Sequence, residues 1–273
     1  MTLRSQHPLR PRRRFGQHFL ESAWVEKVVR AIDPKPDDVF VEIGPGRGAL
    51  TRPLAARTRA VFAYEIDRDL AASLAADAPP NVTVVPGDFL DADWRAAGSG
   101  PIRVAGNLPY NVAAPILFKL TDSYRSGVPI LDGTVMLQRE VAERLTAEPG
   151  SRDYGVLTIS IRRHADVERL LPLPPGAFRP APKVHSAVVR LTFHAPRPSA
   201  HDESVVEALT QAMFTRRRKT LANALRAYHG SQRLGPDTAL VRARIDATRR
   251  PETLTVEEVV RLANVYARGM ADG

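Results

Sequence analysis

The chain has 273 residues, 44% of them hydrophobic, and its 39 Lys and Arg against 30 Asp and Glu leave a formal charge of +9. With no cysteine, disulfides, thiolate catalysis and cysteine-ligated zinc are excluded, and no metal site is expected. No apolar run approaches the length of a membrane span and no apolar stretch follows the N-terminal arginines, so a cytoplasmic chain with no membrane partner is expected, and the basic balance favours an acidic partner such as nucleic acid.

In chain order, residues 1–14 hold five arginines and no acid, which reads as a mobile basic arm that includes Arg12, Arg13 and Arg14. "SAWVEKVVRAI" carries Trp24, Val25, Val28, Val29 and Ile32 at helical spacing, with Ser22 as the expected N-cap and Asp33-Pro34 as the stop. The period then changes. "DVFVEIG" is a short apolar run ending in glycine, a buried strand. "GALTRPLAART" reads as a helix, "AVFAYEID" as a strand, "DLAASLAAD" as a helix, and "VTVVPGD" and "IRVAGN" as strands. "APILFKLTDS" is helical, and "GTVMLQRE" is a strand running into the helix "EVAERLTAE". Strands alternating with helices predict a parallel sheet covered on both faces.

"YGVLTISIRRHADVERLLPL" is ambiguous between helix and strand at its start and strand-like from His164. The proline-rich "PPGAFRPAPKVHSAVVRLTF" predicts a loop feeding a late strand at the sheet edge. From about residue 202 the pattern is helical only: "SVVEALTQAMF", "KTLANALRAYH" and "TVEEVVRLANVYARGM". The expected division is therefore an α/β domain over 1–198, whose residues 1–20 form the arm and a ligand-contacting motif, and a small all-helical domain over 199–273.

Chemistry gathers at the strand ends. "VEIGPGRGALT" sets Gly44, Gly46 and Gly48 between a strand and a helix, where glycine permits a tight turn and close approach of a ligand to the backbone. Glu65 ends the next strand about twenty residues on, the place of an acid that accepts from ribose hydroxyls. That much fits a nicotinamide dinucleotide as well as S-adenosylmethionine. The G-x-G-x-G spacing, and a further acid, Asp88, after the third strand to accept from an adenine amino group, favour the methyl donor. Each acid alone is also readable as a strand-end cap; the glycine turn and the two acids in register, one feature per strand end, are the order of Rossmann-like class I methyltransferases.

The fourth strand ends in "GNLPYN". An exocyclic amino nitrogen of a base is a poor nucleophile because its lone pair is delocalised into the ring. The Asn107 side-chain oxygen and the Leu108 carbonyl can both accept from that amino group, Pro109 fixes the direction of the carbonyl, and Tyr110 offers a face for stacking. Asn107 is then a positioning group and not a general base.

These motifs, with "RRRFGQHFL", "MLQREVAERL", "FRPAPKVHSAVVRL", "FTRRRKTLANAL" and "RPETLTVEE", resemble nearly end to end the KsgA-type family of small-subunit rRNA adenine dimethyltransferases. The resemblance implies transfer of four methyl groups from S-adenosylmethionine to two adjacent adenosines near the end of 16S rRNA, late in assembly of the 30S subunit, by a monomer. It places cofactor contacts on His18, Leu20, Gly44, Gly46, Glu65, Asp88 and Asn107, and implies that the Phe178 ring closes over the target base opposite Tyr110. His18 stands where bacterial members more often have Asn. Arg216, Arg217, Arg218 and Lys219, expected to open a helix of the small domain, are the RNA contacts expected beside the arm. Three other readings are open: a macrolide-resistance methyltransferase of 23S rRNA, which shares the chemistry but usually reads N-I-P-Y; a 30S assembly factor acting mainly by binding; and a dehydrogenase.

Overall fold

The structure, a computed structural model, describes residues 17–93, 97–98 and 100–271. Arg12, Arg13 and Arg14 of the expected arm lie outside the described residues. A two-residue strand, β1 (Phe19–Leu20), leads into α1 (Ser22–Ile32). Val28, Val29 and Ile32 form the buried stripe of α1, as their spacing requires. The N-cap is Glu21 and not the expected Ser22, and the helix stops at Asp33, whose left-handed φ of 55° returns its N–H to the Val29 carbonyl.

The sheet follows the predicted alternation. β2 (Val39–Ile43), β3 (Ala60–Glu65), β4 (Val82–Pro86), β5 (Ile102–Asn107) and β6 (Ile130–Gln138) are separated by α2 (Thr51–Ala55), α3 (Arg68–Ala76) and α4 (Ala113–Arg125). α5 (Arg139–Leu145), α6 (Val156–Arg162), β7 (Ala165–Leu173), β8 (Phe178–Arg179) and β9 (Ser186–Phe193) follow. The seven strands of the main sheet run β4-β3-β2-β5-β6-β9-β7. β2 through β6 are parallel, and β9 returns antiparallel to β6; it lies one strand in from the edge, which β7 forms, and not at the edge where it was expected. All five residues of β2 are buried, the mark of a parallel strand covered on both faces. β8 leaves this sheet and pairs with β1.

β5 is braced at the start of the strand by an ion cluster that residue patterning did not foreshadow. The Arg103 guanidinium, 8% exposed, donates to Asp38 at 2.7 Å and to Asp132 at 2.8 Å. Its remaining donors reach the Ile32 and Asp33 carbonyls at 2.8 and 2.9 Å, the orphan carbonyls at the end of α1.

The chain separates into two units, one of residues up to Ala142 with Val167–Phe193, the other of Glu143–Asp166 with His194–Gly273. The chain crosses near the expected boundary, between Phe193 and His194, and also at two places that sequence patterning did not mark. The extra crossings arise because Tyr154 and Ile159 belong to the apolar core of the second unit, with Leu209, Met213, Leu240 and Tyr266. The ambiguous "YGVLTISIRR" is thereby settled as helix α6, and β7 begins at Ala165.

In the second unit, α7 (Glu203–Thr215) and α10 (Val256–Ala271) match expectation. The helix expected over "KTLANALRAYH" is only α8 (Leu221–Leu225), and α9 (Pro236–Ala243), entered through Gly235-Pro236, was not foreseen. Among the described residues no helix is long and apolar enough to cross a membrane.

Candidate active site

Parallel register sets the site. Ile43 lies opposite both Tyr64 and Gly106, Glu65 opposite Pro86, and Asn107 opposite Met136. The loops after β2, β3, β4 and β5 therefore leave from one edge of the sheet. The order reverses between β2 and β5, the switch point at which ligands of such sheets bind. Gly106 holds the two strands close: a Cβ there would collide with the Ile43 carbonyl oxygen.

The turn after β2 takes φ of 68° at Gly44, 57° at Gly46 and 79° at Gly48, all in the left-handed region that glycine enters without strain. The Gly46 N–H donates to Glu65 Oε2 at 2.9 Å, and the Asp67 N–H donates to Oε1 at 2.9 Å. The two donors fix the Glu65 carboxylate and leave further lone pairs on both oxygens. Burial raises the Glu65 pKa, and the backbone donors oppose that shift.

One cavity is lined by His18, Leu20, Gly44, Gly46, Glu65, Asn107, Leu108, Pro109 and Tyr110. All of these were expected at the site, and they meet in one place. Asn107 Nδ2 donates to the His18 carbonyl at 2.6 Å. The Tyr110 hydroxyl shares a hydrogen bond of 2.8 Å with Ser186 Oγ on β9, and burial raises its phenol pKa, so the ring stays neutral.

Two expected residues lie elsewhere. Asp88, just beyond β4, accepts from the Leu90 N–H at 2.9 Å and is not part of the cavity lining. The expectation that Phe178 closes over a base is corrected. Phe178 is 2% exposed and packs in the core with Leu20, Leu173 and Val188, because β8 pairs with β1 through Phe178 and Leu20.

Glu42 was missed. It is 1% exposed within β2, lines the cavity, and its Oε2 has no hydrogen-bond partner. Burial first, with the nearby Glu65 charge adding, pushes its pKa up to about 7 against the opposing Thr51 hydroxyl. The signal was present in "VFVEI", where one acid interrupts an otherwise apolar buried strand.

The arginine run does not open a helix. Arg216 is the C-cap of α7, and Thr220 caps α8 after the turn; Arg217 donates to the Arg152 carbonyl at 2.9 Å, and Arg216, Arg218 and Lys219 are exposed. The second unit also carries a groove, unforeseen from sequence, lined by Arg242, Arg261 and Arg268 with Ser199, Asn264 and a single acid, Glu257.

Residues 9–268 match the family described as "Ribosomal RNA adenine dimethylase". The chain belongs to that family. By this membership it is an rRNA adenine dimethyltransferase with a methyltransferase fold. The chain is 46% identical over 258 residues to the "Ribosomal RNA small subunit methyltransferase A" of Laribacter hongkongensis, covering 93% of this chain and 95% of that one. Among solved structures it resembles the 23S rRNA methyltransferase ErmE at 27% identity and a TM-score of 0.67, covering 91% of this chain and 99% of that one. A dimethyladenosine transferase from Plasmodium falciparum shares the fold at 22% identity and a TM-score of 0.76, covering 93% and 98%. Membership gives the protein its chemistry: transfer of methyl groups to adenine of ribosomal RNA.

Proposed function

We propose that the protein transfers methyl groups from S-adenosylmethionine to N6 of two adjacent adenosines near the 3′ end of 16S rRNA in the 30S subunit, giving N6,N6-dimethyladenosines, and that it acts as a cytoplasmic monomer. The observation that carries this reading is the orientation of Asn107. A carbonyl oxygen only accepts, so the bond to the His18 carbonyl fixes which end of the amide is nitrogen and leaves Oδ1 free to accept from an amino group. Oδ1 and the Leu108 carbonyl would draw an adenine amino nitrogen toward tetrahedral geometry. The nitrogen forms its new N–C bond as the S–C bond breaks, and one N–H proton leaves to water. The monomethylated product keeps one N–H, so the second transfer engages one of the two acceptors. The 46% relative named as a small-subunit enzyme, against 27% for the 23S enzyme, favours the small subunit as substrate.

The cavity fits the donor. Glu65 would take the ribose hydroxyls and the glycine turn the close approach of the chain. The buried, unpaired Glu42 Oε2 suits a cationic ligand, which would favour the ionised carboxylate. Asp88 would meet the adenine amino group from the neighbouring loop. When bound, S-adenosylmethionine supplies an electrophilic methyl group on a sulfonium. Calorimetry tests the fit: saturable binding of S-adenosylmethionine and none of NAD is expected, and the reverse would restore the dehydrogenase.

Glu42 adds a pH dependence. Its pKa is about 7 without ligand, and a bound cation lowers it, so binding below that pKa expels a proton. Affinity should rise as pH increases toward 7, by up to about tenfold per unit, and level off above it. Titrations at about pH 6 in buffers of different ionisation enthalpy should show the proton released. Glu42→Gln should abolish that release, and a wild type without it would remove Glu42 from the cation site.

The second unit would contact phosphates of the RNA. Extruding a base costs a few kcal/mol, and stacking returns roughly 1–3 kcal/mol, so interactions with phosphates must supply binding elsewhere. Replacing Arg216, Arg217 and Arg218 with Ala should flatten the dependence of log K on log salt by roughly 0.7–0.9 for each phosphate no longer neutralised. An unchanged slope would assign the phosphates to the arm or to the groove of Arg242, Arg261 and Arg268.

A further inference from the structure

His18 makes three interactions that a cofactor contact does not require. Its carbonyl accepts from Asn107 Nδ2 at 2.6 Å. Its ring stacks on Tyr110, with centroids 5.3 Å apart and planes 25° from parallel. Its Nδ1 lies 2.6 Å from the Pro180 carbonyl oxygen; that oxygen only accepts, so Nδ1 carries the hydrogen. The backbone that presents these groups is held as well. Phe19 and Leu20 pair with Arg179 and Phe178, and Arg179 Nε donates to Glu21 Oε1 at 2.8 Å.

The consequences concern the acceptor. With its nitrogen held by the His18 carbonyl, Asn107 presents oxygen to the base. An amide free to turn over would offer N–H instead and would suit the carbonyl of a guanine. The His18 ring meanwhile occupies one face of Tyr110. A base inserted between two rings needs about 7 Å, twice the ~3.4 Å stacking rise, and the observed separation is less, so the base must use the other face. Phe178, buried in the core, offers no competing face.

We propose that His18 is a positioning residue of the acceptor site: its backbone carbonyl locks Asn107 with Oδ1 turned to an amino group, and its ring backs Tyr110 so that one face remains for the flipped adenine. This rests on the assignment of Asn107 and Tyr110 to the acceptor.

The test compares His18→Ala and His18→Phe with wild type and with Asn107→Ala. Each protein is assayed for transfer to unmethylated 30S particles at saturating S-adenosylmethionine, for affinity toward that donor by calorimetry, and for its unfolding midpoint. His18→Ala keeps the backbone carbonyl and removes the ring; it should lower kcat by about 10²-fold, the effect of a small misplacement at a reacting centre, beyond any weakening of donor binding and with the midpoint unchanged. His18→Phe keeps a ring against Tyr110 and should recover most of that loss. Wild-type kcat in His18→Ala, a loss confined to donor affinity, or a His18→Phe as slow as His18→Ala would each overturn the proposal. If Asn107→Ala also transfers at the wild-type rate, the underlying assignment fails; if Asn107→Ala is inactive and His18→Ala is not, only the role of His18 fails.

Discussion

Asn107→Ala should lower kcat for methyl transfer by about 10²–10³-fold, the cost of removing one preorganised group aimed at charge that develops in the transition state. An adenine amino nitrogen gains nucleophilicity only as its lone pair leaves the ring, and two acceptors on its hydrogens stabilise that geometry and the positive charge that follows. The Leu108 carbonyl survives the substitution; the amide oxygen does not. Asn107 ends β5 in register with Met136, and Leu108 is buried, so the truncated side chain should leave the sheet intact. Binding to 30S particles should persist, because interactions with phosphates supply it. Single-turnover rates beside particle-binding isotherms check this. Equal loss of both would return weight to a factor that acts mainly by binding.

Arg103→Ala should destabilise the protein by about 3–5 kcal/mol, the cost of breaking a buried ion pair from one side. The guanidinium serves Asp38, Asp132 and two carbonyls at the end of α1. Its removal leaves two half-buried carboxylates facing each other and the Asp33 carbonyl without its donor, while the Ile32 carbonyl keeps a 3.2 Å bond from Arg190. Arg103→Lys should recover only part of the loss, since one ammonium has three donors and no planar fork. Urea unfolding followed by circular dichroism reads the change, and a shift of less than about 1 kcal/mol, the scale of an exposed pair, would show the cluster to be solvated.

What the sequence disclosed follows the range of the physics. The glycine turn, Glu65 and "GNLPYN" could be read because each is a local answer to a local demand at a strand end, and parallel register then brings them together. The fate of Phe178 could not, because the side its ring takes depends on pairing between β8 and β1, which are far apart in sequence. Glu42 and Arg103 were hidden in runs that read as strand, where burial and not residue type gives a charge its meaning. The helix at Leu221–Leu225 is shorter than its apolar spacing suggested, since local pattern does not report where the chain turns. Tyr154 and Ile159 joined the second unit because a core is defined by packing in space, and sequence order does not announce it.

The central claim is that the cavity at Asn107 dimethylates adenine of the small-subunit RNA. It is tested most directly by incubating the protein with labelled S-adenosylmethionine and unmethylated 30S particles, digesting the RNA and identifying the labelled nucleosides. N6,N6-dimethyladenosine in 16S rRNA, absent with Asn107→Ala, is the predicted result. Label confined to 23S rRNA offered in parallel, or label on a nucleoside other than adenosine, would contradict it.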